Sequence, residues 1–154
     1  MTELALVGDI GGTNSRFGLV EPGSTKIKDI EALKNDRFGS LEDAIGHYLT
    51  QRKIESLAAA AIAVAGPIEG EVVGLTNRDW RFTRESLRIA AKAKRFRLLN
   101  DYEALALSLP HLEDSGLEQV GGEKPATPAV KIVMGPGTGL GMATLAPLPQ
   151  GGWM

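Results

Sequence analysis

Leu4-Ala5-Leu6-Val7-Gly8-Asp9-Ile10-Gly11-Gly12-Thr13-Asn14, followed after Ser15-Arg16 by Phe17-Gly18-Leu19-Val20, is the stretch that decides the fold. Two short apolar runs flank a Gly-Gly turn, the pattern of two β-strands and a tight connection. Asp9 needs explaining. It closes a strand expected to be buried, and a buried carboxylate must be paired, hydrogen-bonded or on a metal. The glycines let backbone N–H groups approach a bound anion, and Thr13 adds a hydroxyl donor. An anion beside a carboxylate is repelled unless a cation lies between them, which points to a phosphate and Mg²⁺ site. The other reading is a glycine hairpin in which Asp9 caps its own turn. This stretch alone leaves both open.

A second glycine loop, Gly135-Pro136-Gly137-Thr138-Gly139-Leu140-Gly141, follows the apolar run Val130 to Met134. It meets neither the G-x-G-x-x-G spacing nor the Walker pattern. The residues after it, Met142 to Ala146, read as a strand ended by Pro147 and not as a phosphate-binding helix. Both loops therefore read as β-turn-β hairpins with a threonine among glycines. Two such loops, far apart in the chain, could grip opposite sides of one polyphosphate.

Working outward, Leu4–Asp9, Ser15–Glu21 and Lys26–Leu33 read as strands. Ser40 opens a helix in which Leu41, Ala44, Ile45, Tyr48 and Leu49 share one face, with Ser40 and Asp43 as a capping pair. Ala58–Ala65 is a short continuous apolar run ended by Gly-Pro. It reads as a buried central strand, although its alanines also suit a helix. Glu71–Thr76 reads as a returning strand. Thr83 caps a helix expected to run through Leu87, Ala90, Ala91 and Ala93. Phe96–Leu99 reads as a strand and Asp101–Leu109 as a helix stopped by Pro110. A meander of strands followed by strands alternating with helices argues for an α/β domain with a mixed sheet.

The chemistry-bearing residues each carry a bland reading beside the functional one. Asn100-Asp101 lies where a strand meets a helix. Asn100 is a favoured N-cap, and Glu103 completes a capping pattern. Yet ligands of open α/β sheets collect beyond the carboxyl ends of strands, and a carboxylate there can accept the proton of a substrate hydroxyl attacking phosphorus. The two roles are compatible. Thr76 and Asn77 follow a strand and could line a sugar cleft or serve a turn. His47 and His111 have no partner at metal-ligand spacing, and Trp80 and Phe82 read as packing residues. Residues 81–97 hold seven basic side chains against one acid, Glu85. Without aromatic interleaving or a basic overall charge, this reads as a solvated face ahead of a nucleic-acid patch, and Arg78 and Arg81, which flank Trp80, could instead sit near an active cleft.

Composition sets outer bounds. With 43% hydrophobic residues among 154, the chain can bury a core. A net charge of −2 gives no reason to expect nucleic acid or a membrane surface as partner. The absence of cysteine rules out disulfides, cysteine nucleophiles and thiolate metal sites within these residues. Met1-Thr2-Glu3 carries no positive n-region, so no signal peptide is expected. The longest apolar run, Leu57 to Ile68, is too short to span a bilayer. The expected location is the cytoplasm.

Taken together, several segments resemble one family. Gly8-Asp9-Ile10-Gly11-Gly12-Thr13-Asn14 with Arg16 resembles the first phosphate loop of bacterial glucokinases, members of the hexokinase, actin and Hsp70-type ATPase superfamily. The Gly135–Gly141 loop resembles their second phosphate loop. Ala65-Gly66-Pro67-Ile68, Leu75-Thr76-Asn77-Arg78-Asp79-Trp80 and Leu99-Asn100-Asp101-Tyr102 resemble segments between the two, in the same order. The resemblance covers the whole chain, with a mild departure at Ala65. It implies a mixed sheet with flanking helices of the ribonuclease H-like or actin-type ATPase fold, at 1–110, and the opening strands of a second domain at 111–154. It implies transfer of the γ-phosphoryl group of ATP to the 6-hydroxyl of glucose, the first step of glycolysis. Asp101 would be the base, Asn100 would orient the sugar, and Thr76 and Asn77 would line its cleft. Gly8, Asp9, Ile10, Gly11, Gly12, Thr13, Gly137, Thr138 and Gly139 would hold ATP, with Asp9 on the Mg²⁺ side through water. Glucose and ATP are the expected partners, with room for a homodimer.

Two rivals stay open at this level: a kinase for another hexose or an amino sugar, and a nonenzymatic nucleotide- or sugar-binding regulatory module. The resemblance also implies parts that cannot be found here: a Gly-Glu-Gly-Gly-His motif, a further glutamate for the sugar, the adenosine site and a closing helix. Residues 1–154 alone are therefore expected to bind ligands weakly and to show little or no kinase activity.

Overall fold

The computed structural model describes residues 4–75, 78–123, 128–136 and 140–154. By packing, the chain forms two compact units, Met1–Asp101 and Tyr102–Met154.

The first unit is built on a five-stranded sheet of order β3-β2-β1-β4-β7. Its strands are β1 (Ala5–Ile10), β2 (Asn14–Val20), β3 (Ile27–Lys34), β4 (Leu57–Val64) and β7 (Ala93–Asn100). The first three form the antiparallel meander expected from the sequence, whereas β1, β4 and β7 run parallel to one another. Strand β4 thus has hydrogen-bonded neighbours on both sides. That settles the alanine run as a central strand. Short β5 (Val72–Gly74) pairs with β6 (Arg81–Thr83) in a separate two-stranded ribbon. The returning strand expected at Glu71–Thr76 is therefore shorter than expected and lies outside the main sheet. Trp80 and Phe82 are buried, as their packing reading required.

Two helices cover one face of the sheet. Helix α1 (Leu41–Gln51) starts at Ser40, whose hydroxyl accepts from the Asp43 N–H at 3.1 Å, and its five periodic apolar residues are all buried. Helix α2 (Arg84–Ala90) opens on a reciprocal Thr83–Ser86 capping box. The Ser86 hydroxyl also reaches Glu42 of α1 at 2.5 Å, tying the two helix starts together. Leu6, Ile10, Phe17, Ile62, Leu87 and Leu98 belong to the core between sheet and helices.

The expected run of α2 through Ala93 is corrected by the backbone. Lys92 takes a left-handed conformation at φ 50°, which ends the helix. Its carbonyl then accepts from the Leu57 N–H at 3.0 Å, and Ala93 opens β7 opposite Leu57. Alanine's helix propensity is overridden by a strand pairing it cannot report.

Edge strand β3 is held from the helix side. The Tyr48 hydroxyl donates to the Asp29 carbonyl at 2.9 Å, and Arg52 stacks over the Tyr48 ring at 3.8 Å while pairing with Glu31 at 2.9 Å. Burial pushes the Tyr48 phenol above its ordinary value, partly offset by the Arg52 charge, so the hydroxyl remains a donor. The opposite sheet face carries an apolar groove lined by Ala5, Val7, Ala59 and Ala61, with Arg95 and Arg97 beside it.

Helix α3 (Asp101–Ser108) starts at the last residue of the first unit and runs into a 3₁₀ turn, Leu109–His111, that contains Pro110. Strands β8 (Lys131–Pro136) and β9 (Leu140–Leu145) form an antiparallel hairpin, as the sequence anticipated. Among the described residues no helix is long and apolar enough to cross a membrane.

Gly8 marks how tightly the first strand is packed. A Cβ added there would lie 2.6 Å from Ile62 Cδ1 and 3.2 Å from the Phe17 ring, both fully buried side chains. Gly8→Ala is expected to destabilise the chain by about 1–3 kcal/mol through overpacking. A lower urea midpoint at unchanged slope is the readout; an unchanged midpoint would show that Ile62 rotates away freely.

Candidate functional site

Register places the site. Ile10 of β1 pairs with Val64 of β4, and Val64 pairs with Asn100 of β7. These strands are parallel, so their carboxyl ends finish level. The Gly11–Thr13 turn, the Ala65–Ile68 segment and the Asn100-Asp101 junction consequently emerge at one edge of the sheet, where open α/β sheets collect ligands.

The glycine turn is closed by the Gly11 N–H, which donates to the Asn14 carbonyl at 3.0 Å. Gly8 lies within β1. Ile10 points its side chain into the core, and its carbonyl accepts from the Ala65 N–H at 3.0 Å. Gly12 is half-buried and Thr13 is exposed. Beneath the turn lies Asn35, buried and bonded to the carbonyls of Gly11 and Gly12. Sequence reading missed Asn35. It belongs to no motif and is separated from the turn by the whole of β2 and β3; a polar residue that closes an edge strand is the faint signal that existed.

Asp9 corrects one expectation. Its side chain is 58% exposed, not buried, and its carboxylate accepts from the Arg16 guanidinium at 3.1 Å. The cause is the sheet register. Asp9 pairs with Arg16 across β1 and β2, on the face opposite buried Leu6 and Ile10. An exposed pair of this kind is worth about 0–1 kcal/mol, so it leaves the carboxylate available. An accessible hard-oxygen donor beside a glycine turn suits Mg²⁺, which keeps several waters and takes one or two carboxylates plus phosphate oxygens. Among the described residues, no three His, Asp or Glu side chains cluster as a protein-only metal site.

Asn100 closes β7, and its Nδ2 donates to the Gly66 carbonyl at 2.9 Å. Gly66 has φ 137°, in a region open to glycine but not to residues with a Cβ. The Asn100 amide thereby fixes the turn that ends β4. Asp101 is the first residue of α3 and is half-buried. A carboxylate in the first turn of a helix faces its positive end.

Thr76 and Asn77 lie outside the described residues, as do Gly137, Thr138 and Gly139. The hairpin stem that carries the second loop is described. Gly135 pairs with Gly141, and the Tyr102 hydroxyl donates to the Gly135 carbonyl at 2.8 Å. A Cβ on Gly141 would run into the Tyr102 ring, and one on Gly135 would lie 2.6 Å from its hydroxyl oxygen. The glycines of the stem therefore make room for a phenol ring, a packing reason that the phosphate reading had not included.

His47 and three residues of the basic stretch have packing and hydrogen-bonding roles. His47 packs on Phe38 at 5.3 Å and contacts Gln51 at 2.9 Å. In the basic stretch, Arg84 donates to the carbonyls of Ile68 and Gly70, Lys92 to that of Ile54, and Arg88 to Glu85 and the Ala93 carbonyl.

Similarity to known proteins decides the family. The glucokinase family model matches residues 6–154. This chain belongs to the glucokinase family. A glucokinase of Chromobacterium violaceum is 46% identical over 148 residues, covering 96% of this chain and 42% of that protein. The crystal structure of a glucokinase from an Antarctic psychrotroph superposes with a TM-score of 0.87 at 33% identity, over 98% of this chain and 48% of that one. A glucokinase of Balamuthia mandrillaris, solved in complex with glucose, shares the fold at a TM-score of 0.74 and 24% identity, over 99% of this chain and 47% of its own. The mixed sheet with flanking helices is the actin-type ATPase fold of these kinases. The chain spans less than half the length of the glucokinases it matches.

Gly141→Ala should displace the Tyr102 ring and break its bond to Gly135. By the usual cost of overpacking, about 1–3 kcal/mol, amide exchange in β8 and β9 should speed up by at least about tenfold, with β1 and β4 unaffected. Unchanged protection of the hairpin would rule out that seating of Tyr102.

Proposed function

We propose that the full-length protein is an ATP-dependent glucokinase that phosphorylates glucose at its 6-hydroxyl. Family membership supports this reading, and one structural observation carries it: the level ends of β1, β4 and β7 bring a glycine turn and an Asn-Asp pair to one edge of the sheet.

In this reading the Asp101 carboxylate accepts the proton of the 6-hydroxyl as that oxygen attacks the γ-phosphorus. The base removes the positive charge that would otherwise build on the nucleophile. Asn100 orients the sugar, and its bond to Gly66 holds its amide in one rotamer. Thr76 and Asn77 line the sugar cleft. The phosphates are held by the N–H groups of Gly12 and Thr13, since the Gly11 N–H is spent on Asn14 and Gly8 to Ile10 lie within the paired strand β1, and by Gly137, Thr138 and Gly139. Backbone donors fixed before the reaction stabilise developing charge without reorganising. Mg²⁺, when bound with ATP, would neutralise phosphate charge, with Asp9 the residue to hold it through water. Closure of a cleft around both substrates would exclude water, which competes with the sugar as acceptor. The absence of cysteine accords with a reducing, cytoplasmic setting.

Two substitutions test the assignments in the full-length protein. Asp101→Asn should keep the fold and much of the glucose affinity, and lower turnover on the order of 10²–10⁴. Retention of more than about a tenth of wild-type turnover would remove Asp101 from the base role. Asp9→Ala should raise the KM for Mg-ATP far more than that for glucose. Equal losses for both ligands would mean that Asp9 serves the β1–β2 pairing instead.

A further inference from the structure

Asn35 is fully buried and polar, and its three side-chain hydrogen bonds go to the glycine turn and to the strand leading out of it. Its Oδ1 accepts from the Ser15 hydroxyl at 2.7 Å. Its Nδ2 donates to the carbonyls of Gly11 at 2.8 Å and Gly12 at 3.2 Å. Its backbone N–H donates to the Thr13 carbonyl at 3.0 Å. Ser15 is also fully buried. The orientation of the amide follows from its partners: carbonyl oxygens only accept, so the nitrogen must face the turn and the oxygen must face the serine.

This arrangement fixes the polarity of the turn. In a planar trans peptide, C=O and N–H point in opposite directions. The Gly11 carbonyl shares its plane with the Gly12 N–H, and the Gly12 carbonyl shares its plane with the Thr13 N–H. With both carbonyls drawn down onto Asn35, these N–H groups point away from the core. Neither donates within a turn, loop or cap among the described residues. Successive N–H groups aimed the same way form an anion-binding concavity. Glycine peptides flip at little steric cost, and a flipped plane would present a carbonyl oxygen to an incoming phosphate.

We propose that Asn35, oriented by Ser15, is a positioning residue that sets the Gly11-Gly12-Thr13 turn to receive a phosphate of the nucleotide. It acts through the backbone and touches no substrate. The proposal rests on the nucleotide-binding part of the functional reading above.

The test compares Asn35→Ala, Asn35→Asp and Ser15→Ala in the full-length protein. The aspartate keeps the size and the acceptor of the native side chain, but offers the two carbonyls no hydrogens. Both Asn35 variants are expected to raise the KM for Mg-ATP by at least about tenfold, the effect of leaving buried acceptors unpaired. The KM for glucose should stay within about twofold. Ser15→Ala should shift the KM for Mg-ATP in the same direction by less, and it decides the matter if Asn35→Ala does not fold. A merely structural role would lower thermal stability and move both KM values together, or neither, and either result overturns the proposal. If the wild type binds ATP but does not phosphorylate glucose, the functional reading fails. Calorimetric titration of ATP into wild type and Asn35→Asp then settles the turn: weaker binding in the variant supports the proposal, and equal binding overturns it. A wild type that binds no ATP overturns both.

Discussion

Parallel pairing of β1, β4 and β7 is the constraint on which the rest of this structure depends. Hydrogen bonding in register brings Ile10, Val64 and Asn100 level, and the segments that follow them have no choice but to emerge side by side. The core depends on the same pairing. Leu6, Ile62 and Leu98 point to one face because successive strand residues alternate, and α1 and α2 close over that face. A slip of one residue in β4 would turn Ile62 and Val64 outward and put alanines in their place. The cost of that slip in buried apolar surface keeps the loop ends together.

Side-chain amides finish what the ladder begins. Where a strand ends, backbone carbonyls lose their ladder partners, and inside a protein each needs a donor. Asparagine supplies two coplanar hydrogens on a short stem. Asn35 uses them on Gly11 and Gly12, and Asn100 donates to Gly66. Each holds a glycine turn at the carboxyl edge of the sheet. Longer cations do the same nearer the surface, as Arg84 does for Ile68 and Gly70 and Lys92 for Ile54. Two residues of the basic stretch are thus put to use closing loops, which its charge alone did not reveal.

The second glycine loop illustrates how one residue type can answer two demands. Its stem glycines, Gly135 and Gly141, sit against the Tyr102 ring and leave no room for a Cβ. A sequence reading that looked for phosphates found the glycines but assigned them one reason. Glycine is selected by close approach of any kind, whether of a ligand or of an aromatic ring.

What the sequence determined by itself is whatever depends on local periodicity and local chemistry. The β1–turn–β2 opening, the buried stripe of α1 with Ser40 at its start, the Thr83 cap of α2 and the β8–β9 hairpin could all be read because each is encoded within one short continuous stretch of chain. The glycine turn and the Asn100-Asp101 junction could be read for the same reason. The tertiary structure decided everything that needs a distant partner. It made the alanine run of β4 a strand by flanking it on both sides, and it ended α2 at Lys92 by pairing Leu57 with that carbonyl. It turned Asp9 outward to meet Arg16, because the face of a strand residue is set by the core its neighbours must fill. It also brought Asn35 beneath the first turn from the far end of β3. A hydrogen bond across 23 or 24 residues leaves no periodic trace in a sequence, so the residue that holds the turn could be found only once the chain had folded back on itself.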